Sequence, residues 1–145
     1  MRELTLRQLS STNDLRAALA AAGLPVDDLD ERGRLYFECR NPEDTLIGFS
    51  GLEQCGDDFL LRSMVILPEF RSRGFGRKLA TLTISQTEAS ADIYLATTTA
   101  SAFFGLIGFE DVTRDRVPDA VLSTRQLSGL CPASAKIMKL ERPPT

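Results

Sequence analysis

Four cations and two glycines fall within the stretch 71–78: Arg71, Arg73, Gly74, Gly76, Arg77 and Lys78. They follow an apolar run that ends at Pro68. Residues of these types at this spacing are suited to holding an anion. Glycine lets the backbone turn sharply and approach a ligand closely. The free amides and dipole of a helix start add positive potential at the same place. The segment Arg71-Ser72-Arg73-Gly74-Phe75-Gly76-Arg77 is therefore expected to bind phosphate, and a pyrophosphate in particular. A Walker A loop would need Ser or Thr after Gly-Lys, but Gly76 is followed by Arg77-Lys78-Leu79. A dinucleotide fingerprint would need a third glycine where Leu79 stands. An ordinary basic strand-turn-helix corner has the same pattern, so the rest of the chain has to decide.

Groups for proton or metal chemistry are scarce. The chain has no histidine, which removes the commonest general base and the commonest metal ligand. That argues against a triad hydrolase or a histidine-ligated metal site, and no metal is expected. Cys39, Cys55 and Cys131 are an odd number without metal spacing. If residues 35–40 and 46–54 pair as a hairpin, Cys39 faces about position 47, and Cys55 lies about 26 Å further along at about 3.3 Å per residue. No disulfide can join those two.

The elements that position the glycine turn can be read from periodicity. Residues 3–9 alternate as a strand. Ser11 and Asp14 resemble a capping box, and Leu15, Ala18, Leu19 and Ala22 then share one helical face, stopped by Gly23 and Pro25. A second short helix is expected over 26–31. Strands follow at 34–40, 45–54 and 59–67, joined by turns at Asn41-Pro42-Glu43-Asp44 and Gly56-Asp57-Asp58. A helix runs from Gly74 to about Ala91, with Leu79, Leu82 and Ala89 buried. A strand at 93–97 comes after that helix and so lies parallel to 59–67. Ala100, Phe103, Phe104 and Ile107 form a helical stripe closed by Gly108-Phe109. A strand near 109–113, a short helix over 119–127 and a last strand over 133–140 complete the chain.

Length and composition bound the class. At 145 residues the chain is long enough for one domain with a real core, spanning 1–145. It is 43% hydrophobic and 26% charged, as soluble globular proteins are. A net charge of −3 disfavours nucleic acid as a partner. No apolar run approaches a membrane span, and the first residues lack a signal-peptide core, so the cytoplasm is the expected compartment.

The order hydrophobic strand, Pro68, Arg71-x-x-Gly74-x-Gly76, helix resembles the acetyl-CoA signature of the GNAT acyltransferases. The element order and the segment Phe103-Phe104-Gly105-Leu106-Ile107-Gly108-Phe109 extend that resemblance over nearly the whole chain. At finer grain, Leu60-Leu61-Arg62-Ser63, the run from Leu95 to Ala100 and the ending Leu127-Ser128-Gly129-Leu130-Cys131-Pro132-Ala133-Ser134-Ala135 are similar to ArsN-type acetyltransferases of arsenic-resistance operons. Some of these elements are also similar to the acetyltransferase domain of N-acetylglutamate synthases. The implied fold is α/β (α+β), a mixed, mostly antiparallel sheet of six to seven strands flanked by about four helices.

What the resemblance implies is direct attack by the amine of a small, amino-acid-like acceptor on acetyl-CoA, the co-substrate. The alternative is a GNAT module that binds acetyl-CoA without turnover. Met64, Val65 and Ile66 would offer backbone groups to the cofactor, with an N–H near Met64 serving the oxyanion; otherwise they are a buried strand. Thr98, Phe103 and Phe104 would line the cofactor's path. Glu53 is the candidate base, or else an exposed strand-end carboxylate. Arg62 would hold a substrate carboxylate, or else pair with Glu53 or Glu38. Arg116 and Cys131 lie in the portion that shapes the acceptor pocket in this family. Arg116 would touch an anionic acceptor, or else be a solvated loop residue, and Cys131 is otherwise a small buried side chain. Many family members carry a tyrosine where Phe104 stands, so the leaving thiolate lacks that proton donor here. Strand-edge pairing in the family leaves a homodimer open.

Overall fold

The computed structural model describes residues 3–130 and 135–140. The segment LIGFSGLEQC is apolar toward both sides and becomes the inner strand β3 (Leu46–Cys55), buried along nearly its whole length. Before it come β1 (Thr5–Gln8), α1 (Asn13–Ala21) and β2 (Arg34–Arg40), and after it β4 (Asp58–Ile66). Then follow α2 (Phe75–Ile84), β5 (Ile93–Thr97), α3 (Ser101–Ile107), β6 (Glu110–Val112), α4 (Asp119–Leu122), a π turn over 126–130 and β7 (Lys136–Leu140). Seven strands form one sheet in the order β1-β2-β3-β4-β5-β7-β6. The β4–β5 pair is parallel, as the intervening helix requires, and the other pairs are antiparallel.

Alternation along the strands sends side chains to two helical layers. On one face Leu15 and Leu19 of α1 are fully buried against Tyr36, Phe49 and Val65, each such leucine stabilising the fold by about 1.5–3 kcal/mol. Val121 of α4 packs on the same side against Leu60, Tyr94 and Ile137. The opposite face packs α2 and α3 through Leu79, Ile84, Phe104 and Ile107. Cys39 and Cys55 are buried free thiols, and Cys39 pairs with Gly48. Among the described residues no helix is long and apolar enough to cross a membrane.

Several expectations need correction. Residues 26–31 form turns, not a helix, because the Asp28 side chain is drawn fully inward by arginines described below. Helix α2 stops at Ile84, so Ala89 is exposed, and Leu82 is only half-buried. Ser85 and Thr87 turn their hydroxyls onto Leu82 O and Ile84 O there, competing with the helical backbone. Likewise Thr124 donates to Val121 O and splits the expected 119–127 helix. Ser11 accepts from the Asn13 amide instead of forming a reciprocal box with Asp14, and Ala22 is exposed.

Two features of β3 and β4 matter for the site. Phe49 opposes Val65 and Gly51 opposes Arg62, which leaves Ser50 alone against Ser63 and Met64. This is a β-bulge in β4, with Ser63 at φ +55°. Beside it Gly48 permits a close backbone approach: a Cβ there would lie 2.3 Å from Val65 O. That atom is main chain and cannot swing aside, so Gly48→Ala is expected to cost about 2–3 kcal/mol, read as a lower urea midpoint.

Candidate functional site

Strands β4 and β5 pair only at Phe59↔Ile93 and Leu60↔Tyr94. β4 continues to Ile66 and β5 to Thr97, so beyond those two pairs the strands part. The gap opens into a cleft of about 570 Å³. One wall is Leu61 to Met64 of the bulged β4, and the facing wall is Leu95 to Ala100 with Phe103 and Phe104 of α3. A third side comes from the α1–β2 loop, through Gly23, Leu24, Pro25 and Asp27.

The basic loop lies next to this cleft. Gly74 starts α2 in a left-handed conformation, φ +82°, which glycine adopts without the Cβ clash of other residues. No side chain caps the helix start, so its first amides keep their donors for an incoming group. Ser72 is also left-handed, at φ +65°. The loop is fixed from beneath, since Arg71 Nε donates to Ile66 O at 2.9 Å. Arg73 stacks over Phe70 at 5.7 Å and Lys78 over Phe75 at 6.0 Å. Gly76 meets the cleft directly: a Cβ there would lie 3.1 Å from Phe103 Cζ. Glycine at 76 thus lets α2 pack against α3 where cleft and loop meet. The glycine turn and the cleft adjoin where Gly76 meets Phe103.

Deeper, at the bulge, is a buried charge cluster. Arg62 has a fully buried side chain and Asp28 is 0% exposed. Arg62 Nη2 donates to Asp28 Oδ1 at 2.5 Å and Nη1 to Oδ2 at 2.6 Å, a bidentate pair. Arg62 Nη1 also donates to Glu53 Oε1 at 2.9 Å, and Nε to Ser63 Oγ at 3.3 Å. Arg34 Nη2 donates to Asp28 Oδ2 at 2.8 Å and lies 3.5 Å from Glu53 Oε2. Burial pushes the Asp28 carboxyl up, but the hydrogen bonds from Arg62 and Arg34 outweigh it and leave the group at about 2. Burial likewise opposes charge on Arg62, and its bond to Asp28 reverses the effect and holds the guanidinium above its ordinary value. Tyr36 lies beneath, 6.0 Å from the guanidinium, and burial pushes its phenol up to about 12.

Met64, Thr98, Phe103 and Phe104 border the cleft. The Val65 side chain instead packs on α1, and Ile66 on the α2 side. Glu53 is neither an exposed strand-end group nor on the cleft border; it is 6% exposed and faces two arginines. Arg62 does border the cleft, but its pairing alternative describes its contacts: the partners are Glu53 and, unforeseen, Asp28. Arg116 is not at the cleft, sitting in a separate groove beside Glu110, Asp111 and Lys139. Cys131 lies outside the described residues. Asp28 and Arg34 escaped sequence reading because a carboxylate in an irregular Asp-Asp-Leu-Asp run has no periodicity to mark it. Phe104 stacks edge-on with Phe103 and Phe109 at 5.0 and 5.7 Å.

Residues 31–111 match the model of the acetyltransferase (GNAT) domain. No curated protein matches the chain in sequence. Among solved structures, N-acetylglutamate synthase from Neisseria gonorrhoeae complexed with coenzyme A and N-acetyl-glutamate is similar, with a TM-score of 0.75 and 14% identity. The match covers 98% of this chain and 36% of that one, so the chain spans about a third of that protein's length. A spermidine N-acetyltransferase mutant from Vibrio cholerae matches with a TM-score of 0.64 and 18% identity over 94% of this chain and 92% of that one. A GNAT-family acetyltransferase from Staphylococcus aureus Mu50 gives 0.62 and 16% over 95% and 98%. These likenesses are of fold, and the domain match covers more than half of the sequence: the chain belongs to the GNAT acetyltransferase family.

Proposed function

We propose that residues 1–145 form a single acetyl-CoA-dependent N-acetyltransferase domain acting on a small amine. The observation that carries the reading is the parting of β4 and β5 beside an uncapped, glycine-started helix. Amides of the loop from Arg71 to Arg77 would hold the pyrophosphate, with Arg73 and Arg77 adding charge. Backbone groups of β4 from Met64 to Ile66, beyond the last rung that pairs with β5, would hold the pantetheine arm. When bound, acetyl-CoA supplies the thioester that the amine attacks. A backbone N–H freed from the ladder by the bulge at Ser63–Met64 would stabilise the developing oxyanion.

Proton handling falls to water. Glu53 has both oxygens turned to arginines and serves the site by holding Arg62, not by meeting the amine. The Phe104 ring cannot donate a proton to the departing thiolate, and a thiol near 8.5 tolerates leaving as the anion at neutral pH. Phe104 also favours a second reading, an acetyl-CoA-binding module without turnover. The finer likeness to ArsN-type acetyltransferases supports an amino-acid-like acceptor.

The test is steady-state CoA release from acetyl-CoA with glutamate, phosphinothricin, arsinothricin and spermidine as acceptors. Turnover above the acceptor-free rate with at least one of them is the expected result. Tight CoA binding with no turnover on any acceptor would replace the enzyme by the binding module.

A further inference from the structure

The α1–β2 loop runs from Ala22 to Gly33 without helix or strand, and left-handed glycines sit near both ends, Gly23 at φ +73° and Gly33 at φ +82°. Four of its residues border the cleft, the last of them Asp27. The next residue, Asp28, is fully buried and gripped by Arg62. Arg62 in turn precedes Ser63, bonds its hydroxyl, and opens the bulge that forms another wall of the same cleft. The path Asp27–Asp28–Arg62–Ser63 thus ties two walls of the cleft together through one bidentate ion pair. A buried ion pair is a poor source of stability compared with apolar packing, and its best-attested use is to fix one arrangement.

We infer that the Asp28–Arg62 pair is a brace that sets the spacing between the α1–β2 loop and the bulged strand, and so shapes the acceptor end of the cleft. Both are positioning residues for acceptor binding. The inference rests on the acetyltransferase reading above. The planar fork of arginine matters here, because lysine would keep the charge but could not grip both carboxylate oxygens.

The experiment compares the full chain with its Arg62→Lys and Asp28→Asn variants. It measures CoA affinity by calorimetry, KM for the best acceptor of the panel above, and hydrogen exchange of the Gly23, Leu24, Val26 and Asp27 amides. A control, Val121→Ala, opens a cavity under α4 in a cluster that includes no residue of the loop. The brace predicts CoA affinity within about twofold of the parent, and kcat/KM for the acceptor falling roughly 10- to 100-fold, mostly in KM. It also predicts loop amides exchanging at least about tenfold faster in both brace variants and not in the control. A folded Arg62→Lys protein with loop exchange and acceptor KM unchanged would overturn the brace and leave acetyl transfer standing. Equal loosening in Val121→Ala would overturn it too, as general softening. If no acceptor in the panel reacts, the role in acceptor binding falls with the enzyme reading, and loop exchange decides only whether the pair braces the loop. Failure of the parent chain to bind CoA would instead remove the acetyltransferase reading, and the inference with it.

Discussion

Replacing Asp28 by alanine is expected to lower the free energy of unfolding by about 3–5 kcal/mol. The substitution removes two of the bonds that hold a guanidinium with no exposed side-chain surface. Arg62 stays charged, since an arginine guanidinium keeps its proton in proteins, and Glu53 is then the one carboxylate bonded to it among the described residues. Arg34 loses its 2.8 Å partner at the same time. The urea midpoint should fall with little change in slope; a loss below about 1 kcal/mol would show that the pair adds nothing beyond its burial cost. Acid offers an independent check. The folded Asp28 carboxyl lies at about 2, below the ordinary aspartate value of 3.8. Its stabilisation is therefore fully present above the ordinary value and is lost as pH falls through that window toward 2. Stability of the parent chain should drop over this range, and that part of the drop should be missing in Asp28→Ala.

Arg73→Glu is expected to weaken CoA binding roughly 10- to 100-fold, the loss of a charge-assisted contact worth about 1.5–3 kcal/mol. Arg73 is exposed, lies between two left-handed residues, Ser72 and Gly74, and rests on the Phe70 ring. It makes no ion pair among the described residues, so reversal strips a cation from the loop without leaving a buried partner behind. Calorimetry with CoA measures the effect. Added salt should weaken the parent chain more than the variant, because exposed charges are screened. Affinity within about twofold would place the diphosphate elsewhere.

Much of the sheet was legible from residue patterns. Strands 34–40 and 93–97 appear at their expected bounds because β-branched, aromatic and apolar residues there are framed by clear turn residues, and the parallel pairing of β5 follows from the helix before it. The glycine turn was legible because Gly74 and Gly76 answer local needs, a left-handed start and a tight helix contact. The bulge was not, because Ser63 takes a positive φ with nothing in its side chain to announce it. The charge cluster was hidden for another reason. Asp28 and Arg62 meet across 34 positions of chain, and only tertiary packing decides which carboxylate an arginine finds. The early end of α2 was missed because the hydroxyls of Ser85 and Thr87 compete with the helix in a way that apolar spacing does not record.

The two-rung seam between β4 and β5 has a consequence for how such a chain can diversify. A guest that filled the missing rungs, as proposed above for acetyl-CoA, would be read by main-chain atoms, which every residue type but proline carries alike. Side chains along that stretch could then change, within what their packing allows, without surrendering the donor molecule. The far end of the cleft, built from a loop and a bulge, can be retailored separately for new acceptors. On the acetyltransferase reading proposed above, one scaffold could in this way keep its donor while trading one amine for another.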